Sequence, residues 1–298
     1  MKHVVELANG NRVTSENTCE SFYSPKDAEH FYTMRFVFSG SESCTMGRRK
    51  LNIFPDSFAF FNAGTTYKAS VKSTSPVTVL SLAMRVPFIE NFHRIFNQSN
   101  QEHVETSNHT APFFMETLYP LSDMMQYHLH HLKASLEIGE PNELKVNQYL
   151  HDCLFEYYRI YQNEVSNRLN KLNSLNPATR KELLRRLLLA REFINGNFNR
   201  KIYLEDISAY CCLSVNHLLR TFKAAYGITP FQYLIQLRLQ RAKSMLLSTN
   251  YSVKLVAGKV GLKDTSAFIR LFNGREGKTP LAYRKYAIGN NLVDTGLI

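Results

Sequence analysis

The chain has 298 residues, 44% hydrophobic and 20% charged, which suits a folded protein of about two domains and excludes a disordered chain or a fibre. No window reaches the ~18 uncharged apolar residues of a membrane span, and the N-terminus MKHVVELANGNR lacks the apolar core of a secretory signal, so a cytoplasmic protein without membrane association is expected. The net charge of +11 is unevenly placed: residues 179–288 carry 20 Lys/Arg against 6 Asp/Glu and the remainder 16 against 19, so a polyanion partner is expected for that segment.

From Phe31 to Met84 the residues fall into short strand-like runs, FYTMRFVF, CTMGRRKLNI, SFAFF, TTYKASV and TVLSLAMR, separated by turn-forming SGSES, PDS, NAG and STSP. That pattern predicts a small β-sandwich or barrel. Alternation in YTMRFVF groups Arg35 with Thr33 and Val37, opposite Met34, Phe36 and Phe38. If the Arg35 face is the interior, Arg35 could orient an anionic or hydroxylated ligand; if the aromatic face is interior, the favoured reading, Arg35 is solvated.

After Pro87 the period changes. Leu118, Leu121, Met125, Leu129, Leu132 and Leu136 recur at steps of three and four, as do Val146, Leu150, Cys153 or Leu154, Tyr157, Ile160 or Tyr161, and Val165. Two amphipathic helices are predicted, with a break at Gly139 and Pro141. One stripe should cover the sheet, and the other would stay exposed unless a second copy of the chain covered it, which favours a homodimer over a closed monomer whose two helices bury only each other. The polar stretch NRLNKLNSLNPATR then predicts a linker, with an N-cap at Thr179.

Beyond the linker the pattern is all helical, with a helix from about 179 to 198 and shorter ones near 204–211, 215–226, 230–248, 252–260, 265–276 and 280–287. Within this segment lies a pseudo-repeat. A shift of 50 residues superposes Arg220 on Arg270, Phe222 on Phe272, Gly227 on Gly277, Thr229 on Thr279, Pro230 on Pro280 and Tyr233 on Tyr283. Upstream, Leu204, Ile207 and Ser208 match Val253, Val256 and Ala257 at an offset of 49, so the second copy has one extra residue in its turn.

Each copy predicts a helix, a tight turn and a second helix. Leu218 and Phe222, or Phe268 and Phe272, would hold that second helix in the core. The outward face then carries Val215, Asn216, Leu219, Arg220 and Lys223 in the first copy, and Thr265, Ser266, Ile269, Arg270 and Asn273 in the second. Arg and Asn pair bidentately with guanine and adenine in the major groove. The helix between the copies, about 19 residues or roughly 28 Å, is long enough to hold two readers about one duplex turn apart.

The runs LEDISAYCCLSVNHLLRTFKAAYGITPFQYLIQLRLQRAKSMLL and YSVKLVAGKVGLKDTSAFIRLFNGREGKTPLAYRK resemble the tandem helix-turn-helix domain of AraC/XylS-type transcription regulators, over about 100 residues that include both GxTP signatures. The strand-rich N-terminus is similar, more weakly, to the cupin-like sensing and dimerisation domain of that family. The resemblance implies two domains: residues 1–170, a cupin-like β-barrel with flanking α-helices, and residues 179–288, an all-α domain with helix-turn-helix motifs at about 204–226 and 253–276. A linker at 171–178 joins them, and 289–298 form a tail.

The resemblance further implies DNA contacts at Asn216, Leu219 and Arg220 in the first copy and at Thr265, Ser266 and Arg270 in the second. Leu219 can make only an apolar contact, such as to a thymine methyl. Asn273 replaces the usual Lys and removes a phosphate contact. The implied function is a sequence-specific regulator, an activator more often than a repressor, that responds to a small-molecule effector. Its implied partners are double-stranded DNA, RNA polymerase and a second copy of the chain.

The alternative function is a cupin-type sensor or enzyme whose basic domain binds nucleic acid without sequence selectivity. Metal-dependent cupins present clustered histidines, yet LNIFPDSFAFFNAGTTYKAS has none and places Tyr67 where a ligand often stands, so neither metal nor cofactor nor catalytic residue is expected. Of the central histidines only His128 and His131 share a helical face, and they are expected at a surface or interface. GREGKT lacks the first glycine and the preceding strand of a phosphate-binding loop. The five cysteines form no CxxC pair, so reduced thiols are expected, with Cys211 and Cys212 filling the first helix-turn-helix turn.

Overall fold

A computed structural model of the chain describes residues 2–99, 111–137, 142–172 and 176–286. The chain divides into two compact units, Met1–Asn170 and Lys171–Ile298. The tail at 289–298 and the break at Gly139 and Pro141 lie outside the described residues.

The first unit is an antiparallel sheet followed by helices. Its strands are β1 (Lys2–Glu6), β2 (Arg12–Tyr23), β3 (Phe31–Val37), β4 (Glu42–Met46), β5 (Arg49–Ile53), β6 (Ser57–Phe61), β7 (Lys68–Arg85) and β8 (Leu118–Pro120). They pair in the order β1-β2-β7-β3-β6-β8, and β4 branches from β7 and carries β5. The eighteen-residue β7 pairs with β2, β3 and β4 and so forms the spine.

The inner face encloses Val37, Cys44, Leu51, Ile53, Ala59, Phe61, Tyr67, Ala69, Val71, Val77 and Val79. The opposite face turns Phe58 and Phe60 toward α3 (Glu143–Tyr161), where Phe60 stacks on Tyr157 with centroids 4.1 Å apart. The other helices of this unit are α1 (Val86–Ser99), α2 (Asp123–Glu137) and a short α4 (Asn167–Lys171) beyond a π-turn at Gln162–Ser166.

The structure departs from the sequence expectation at several points. CTMGRRKLNI forms two strands, β4 and β5, because Gly47 takes φ +56° and turns the chain back. STSP interrupts nothing, since β7 runs through it as one strand. The first hairpin, β1 and β2, has no expected counterpart, because much of β2 is solvated and shows little apolar alternation. Pro87, after which the period changes, lies in the first turn of α1, where an imino acid is tolerated.

Leu118 belongs to β8, opposite Ala59, and the helix that was expected to include it begins at Asp123. Both apolar stripes are buried within the single chain, Met125, Leu129, Leu132 and Leu136 on α2 and Val146, Leu150, Cys153, Leu154, Tyr157 and Ile160 on α3. The expected uncovered stripe is therefore absent, and the exposed apolar side chains of these helices are Met124, Tyr127, Leu144 and Phe155.

Arg35 is not solvated. Both faces of β3 are buried, and Arg35 donates from Nε and Nη2 to Glu42 at 2.8 and 2.5 Å. The two side chains are 6% and 1% exposed.

The second unit opens with α5 (Pro177–Asn197), which begins inside the expected linker. The cap is Asn176 rather than Thr179: its side chain accepts the Thr179 N–H at 2.8 Å, and Pro177 occupies the first turn where its missing N–H costs nothing. Helices α6 (Leu204–Tyr210), α7 (Val215–Tyr226), α8 (Pro230–Ser248), α9 (Val253–Lys259) and α10 (Thr265–Glu276) follow, and residues 280–286 form α11.

Candidate nucleic-acid interface

The two copies of the repeat fold alike, with matching backbone hydrogen bonds in their turns. In the first, Leu213 N–H donates to Ser208 at 3.0 Å, and in the second Leu262 N–H donates to Ala257 at 2.9 Å. The left-handed residue between the helices is Cys212 (φ +54°) in one and Gly261 (φ +80°) in the other. Beyond that point the second copy inserts Lys263 before its cap, Asp264, whereas Ser214 caps the first directly.

The second helix of each copy is fixed by the same device. Leu218 and Phe222 on α7, and Phe268 and Phe272 on α10, are completely buried. Gly227 (φ +77°) and Gly277 (φ +67°) end the two helices, their N–H groups returning to Lys223 and Asn273. The opposite face is thereby presented to solvent. Asn216, Arg220 and Lys223 are exposed and Leu219 is half-buried on α7, while Ser266, Arg270 and Asn273 are exposed and Thr265 is half-buried on α10. All six residues that the sequence resemblance marks as expected DNA contacts lie on these two outward faces, three on each helix.

The connection between the copies is anchored by contacts that the repeat does not show. Thr229 and Gln232 form a reciprocal capping box at the start of α8. Farther along, buried Arg238 donates to the carbonyls of Phe198 and Arg200 at 2.8 Å each, just past the end of α5. On α11, Arg284 donates to the carbonyls of Leu246 and Tyr251 at 3.0 and 2.6 Å, around the end of α8. Each helix that follows a copy thus satisfies carbonyls at or just past the end of the helix that precedes it. Arg238 and Arg284 escape sequence comparison because they stand at different distances from Pro230 and Pro280.

The expected core role holds for Cys211, which is buried, and fails for Cys212, which is exposed. In the first unit His128 lies 3.7 Å from Asp152 and His130 packs on Phe38. Among the described residues no three His, Cys, Asp or Glu side chains cluster as metal ligands, and no helix is long and apolar enough to cross a membrane.

Residues 207–286 match the family model described as a helix-turn-helix domain, from within α6 to the end of α11. The C-terminal unit carries an AraC-type helix-turn-helix domain. That domain is 38% identical over 97 residues to the bifunctional transcriptional activator/DNA repair enzyme AdaA of Bacillus subtilis, a likeness spanning 33% of this chain and 46% of AdaA. The chain therefore spans less than half of that relative.

A longer likeness, 24% identical over 252 residues, covers 84% of this chain and 82% of an uncharacterized HTH-type transcriptional regulator, YdeC, of the same organism. Among solved structures, the C-terminal domain of the response regulator yesN of Fusobacterium nucleatum matches the AraC-type domain at 32% identity, covering 32% of this chain and 94% of that one with a TM-score of 0.31.

Proposed function

We propose that the chain is a sequence-specific DNA-binding transcription regulator that reads two successive major-groove segments through α7 and α10. The observation that carries this reading is the pairing of Arg220 and Arg270 at equivalent exposed positions of two helices clamped to one spacer. Asn216, Leu219, Thr265 and Ser266 complete the two reading faces, Leu219 by apolar contact alone. The basic excess of residues 179–288 supplies the phosphate attraction.

The first unit acts as the cupin-like sensing part. An effector bound there changes how the two DNA-binding domains of a homodimer are presented, and recruitment of RNA polymerase follows, so activation is the expected sign. Dimerisation draws on the apolar side chains exposed on α2 and α3 rather than on an uncovered stripe. The protein acts in the cytoplasm, where its DNA is.

Selection of bound sites from a random DNA library, followed by footprinting across salt concentrations, tests the reading. A defined site with a log–log salt slope steeper than about −5, as six or more phosphate contacts require, supports it. Uniform protection of all sequences supports the alternative of a sensor with a merely basic domain.

A further inference from the structure

Helices α7 and α10 share a burial pattern residue by residue. From Ser214 to Arg220 and from Asp264 to Arg270, exposed, half-buried and buried positions follow in the same order. The position before each arginine is apolar and half-buried in both helices, Leu219 on α7 and Ile269 on α10. Ile269 stands outside the positions that the sequence resemblance marks.

Both side chains lie among polar ones. One helical turn to either side of Leu219 are the exposed Asn216 and Lys223, and around Ile269 are Thr265, Ser266 and Asn273. The neighbours Leu218 and Phe222, or Phe268 and Phe272, are completely buried and anchor the helices. Leu219 and Ile269 thus keep part of their apolar surface open in the middle of a polar, basic face.

An aliphatic group neither donates nor accepts a hydrogen bond, so it binds no phosphate and reads no donor–acceptor pattern. The major groove offers one apolar group on a base edge, the C5-methyl of thymine. A G·C pair carries none. A methyl met by Leu219 therefore belongs to a base pair beside the guanine that Arg220 takes, and the same holds for Ile269 and Arg270.

We propose that Leu219 and Ile269 are a matched pair of methyl readers, each requiring a thymine C5-methyl beside an arginine-bound guanine, at two positions about one duplex turn apart. The inference rests on the reading of α7 and α10 as the helices that enter the major groove. Side-chain length fits the pairing. Ile269 branches at Cβ, is stiff and has the shorter reach, and its neighbours Thr265 and Ser266 are short enough to let α10 seat close to the bases. Asn216 and Lys223 hold α7 farther out, where the longer Leu219 still reaches.

The test uses the full chain and the duplex selected from a random DNA library, with each thymine replaced in turn by deoxyuridine. Uracil keeps every hydrogen-bonding atom of thymine and lacks only the methyl. Two replacements, about 10 base pairs apart, each lower affinity about 3–5-fold, the worth of one buried methyl-sized group, and together about 10–20-fold. Cytosine at either position binds at least as weakly as uracil, and 5-methylcytosine binds about 3–5-fold more tightly than cytosine because the methyl is restored.

Leu219→Ala erases the uracil effect at one position and Ile269→Ala at the other. Lys223→Ala weakens the thymine and uracil duplexes alike and preserves their ratio. The base replacements need no protein variant, so the uracil scan decides even where an alanine variant folds poorly. Fewer than two uracil-sensitive positions, a spacing other than about one turn, no gain from 5-methylcytosine over cytosine, or a uracil effect undiminished in both alanine variants each overturns the proposal. A selected duplex indifferent to uracil defeats this inference alone. Failure to select any site defeats the regulator reading and this inference with it.

Discussion

Arg238 and Gly261 meet at the point where the two helix-turn-helix copies are locked together. A Cβ built on Gly261 would lie 3.0 Å from Arg238 Nη2 and 2.8 Å from the Phe198 carbonyl oxygen that Arg238 also binds. The turn of the second copy is thus pressed onto the segment following α5, and the side chain that bridges them comes from the spacer α8. Gly261→Ala adds left-handed strain and a backbone clash, so a loss exceeding about 2 kcal/mol is expected in chemical denaturation. Arg238→Met leaves two carbonyls without their donor and is expected to cost about 2–3 kcal/mol. Both variants should also weaken DNA binding by disturbing the spacing of α7 and α10, and full affinity in Gly261→Ala would refute the clamp.

Cys212 occupies the corresponding position of the first copy, at φ +54°, with its side chain exposed. No close approach demands a small residue there, yet the left-handed backbone favours glycine. Cys212→Gly should therefore stabilise the C-terminal unit by about 0.5–1 kcal/mol, the reverse of the effect of adding a methyl at Gly261. A thermal midpoint lower than that of the parent protein would show that the thiol makes a contact worth more than the strain.

The helical half was legible because its signals are local. Gly227, Gly277, Pro230 and Pro280 punctuate it, and Phe222 and Phe272 mark the buried sides of α7 and α10. The first unit was less so, because the decisive facts are pairings between strands. Glu42 stands only seven residues from Arg35, but strand alternation alone does not say that the face they share is enclosed, and Val13 and Ser15 are the only fully buried side chains along β2. Leu118 shows how a three-residue step to Leu121 imitates a helix when one member belongs to a strand. The clamp arginines were hidden for a similar reason: their partners are backbone carbonyls, which leave no mark in a sequence.

The reading faces make separable predictions. If Arg220 and Arg270 each pair with a guanine, replacing either with Ala costs ~1–3 kcal/mol on the selected site and relaxes preference at one base position. Lys223→Ala should instead weaken all sequences alike and make the salt slope shallower by about 1, while Asn273→Lys should steepen it by a similar amount. Equal losses on selected and random DNA for Arg220→Ala would assign that side chain to phosphate.

The Arg35–Glu42 pair predicts a strongly non-additive cycle. Arg35→Leu alone leaves the Glu42 carboxylate buried and unpaired, and Glu42→Leu alone strands the guanidinium, so each should cost about 3–5 kcal/mol. The double replacement should recover most of that loss, because both desolvation penalties vanish together. Additive losses in urea denaturation would mean that each side chain has a separate structural role.

Stability of the first unit should fall toward acid pH through His93, which is half-buried, and His151. His93 Nδ1 lies 3.0 Å from the Tyr158 hydroxyl and its Nε2 3.1 Å from the Asn97 side-chain amide. Burial pushes the His93 pKa below its ordinary value. The unfolded chain therefore binds the proton more readily than the folded one, and stability rises with pH. The contribution is present above the ordinary histidine pKa of about 6.5 and is lost as pH falls through the lower folded value. His151 acts with the same sign, lowered by burial and partly restored by Asp152. His93→Gln keeps a polar partner for Tyr158 and removes the titration, so its denaturation midpoint should decline less between pH 7 and pH 5 (the proposed assay range) than that of the parent. Adding His151→Gln should flatten the profile further, and parallel declines in the parent and both variants would place the acid sensitivity elsewhere.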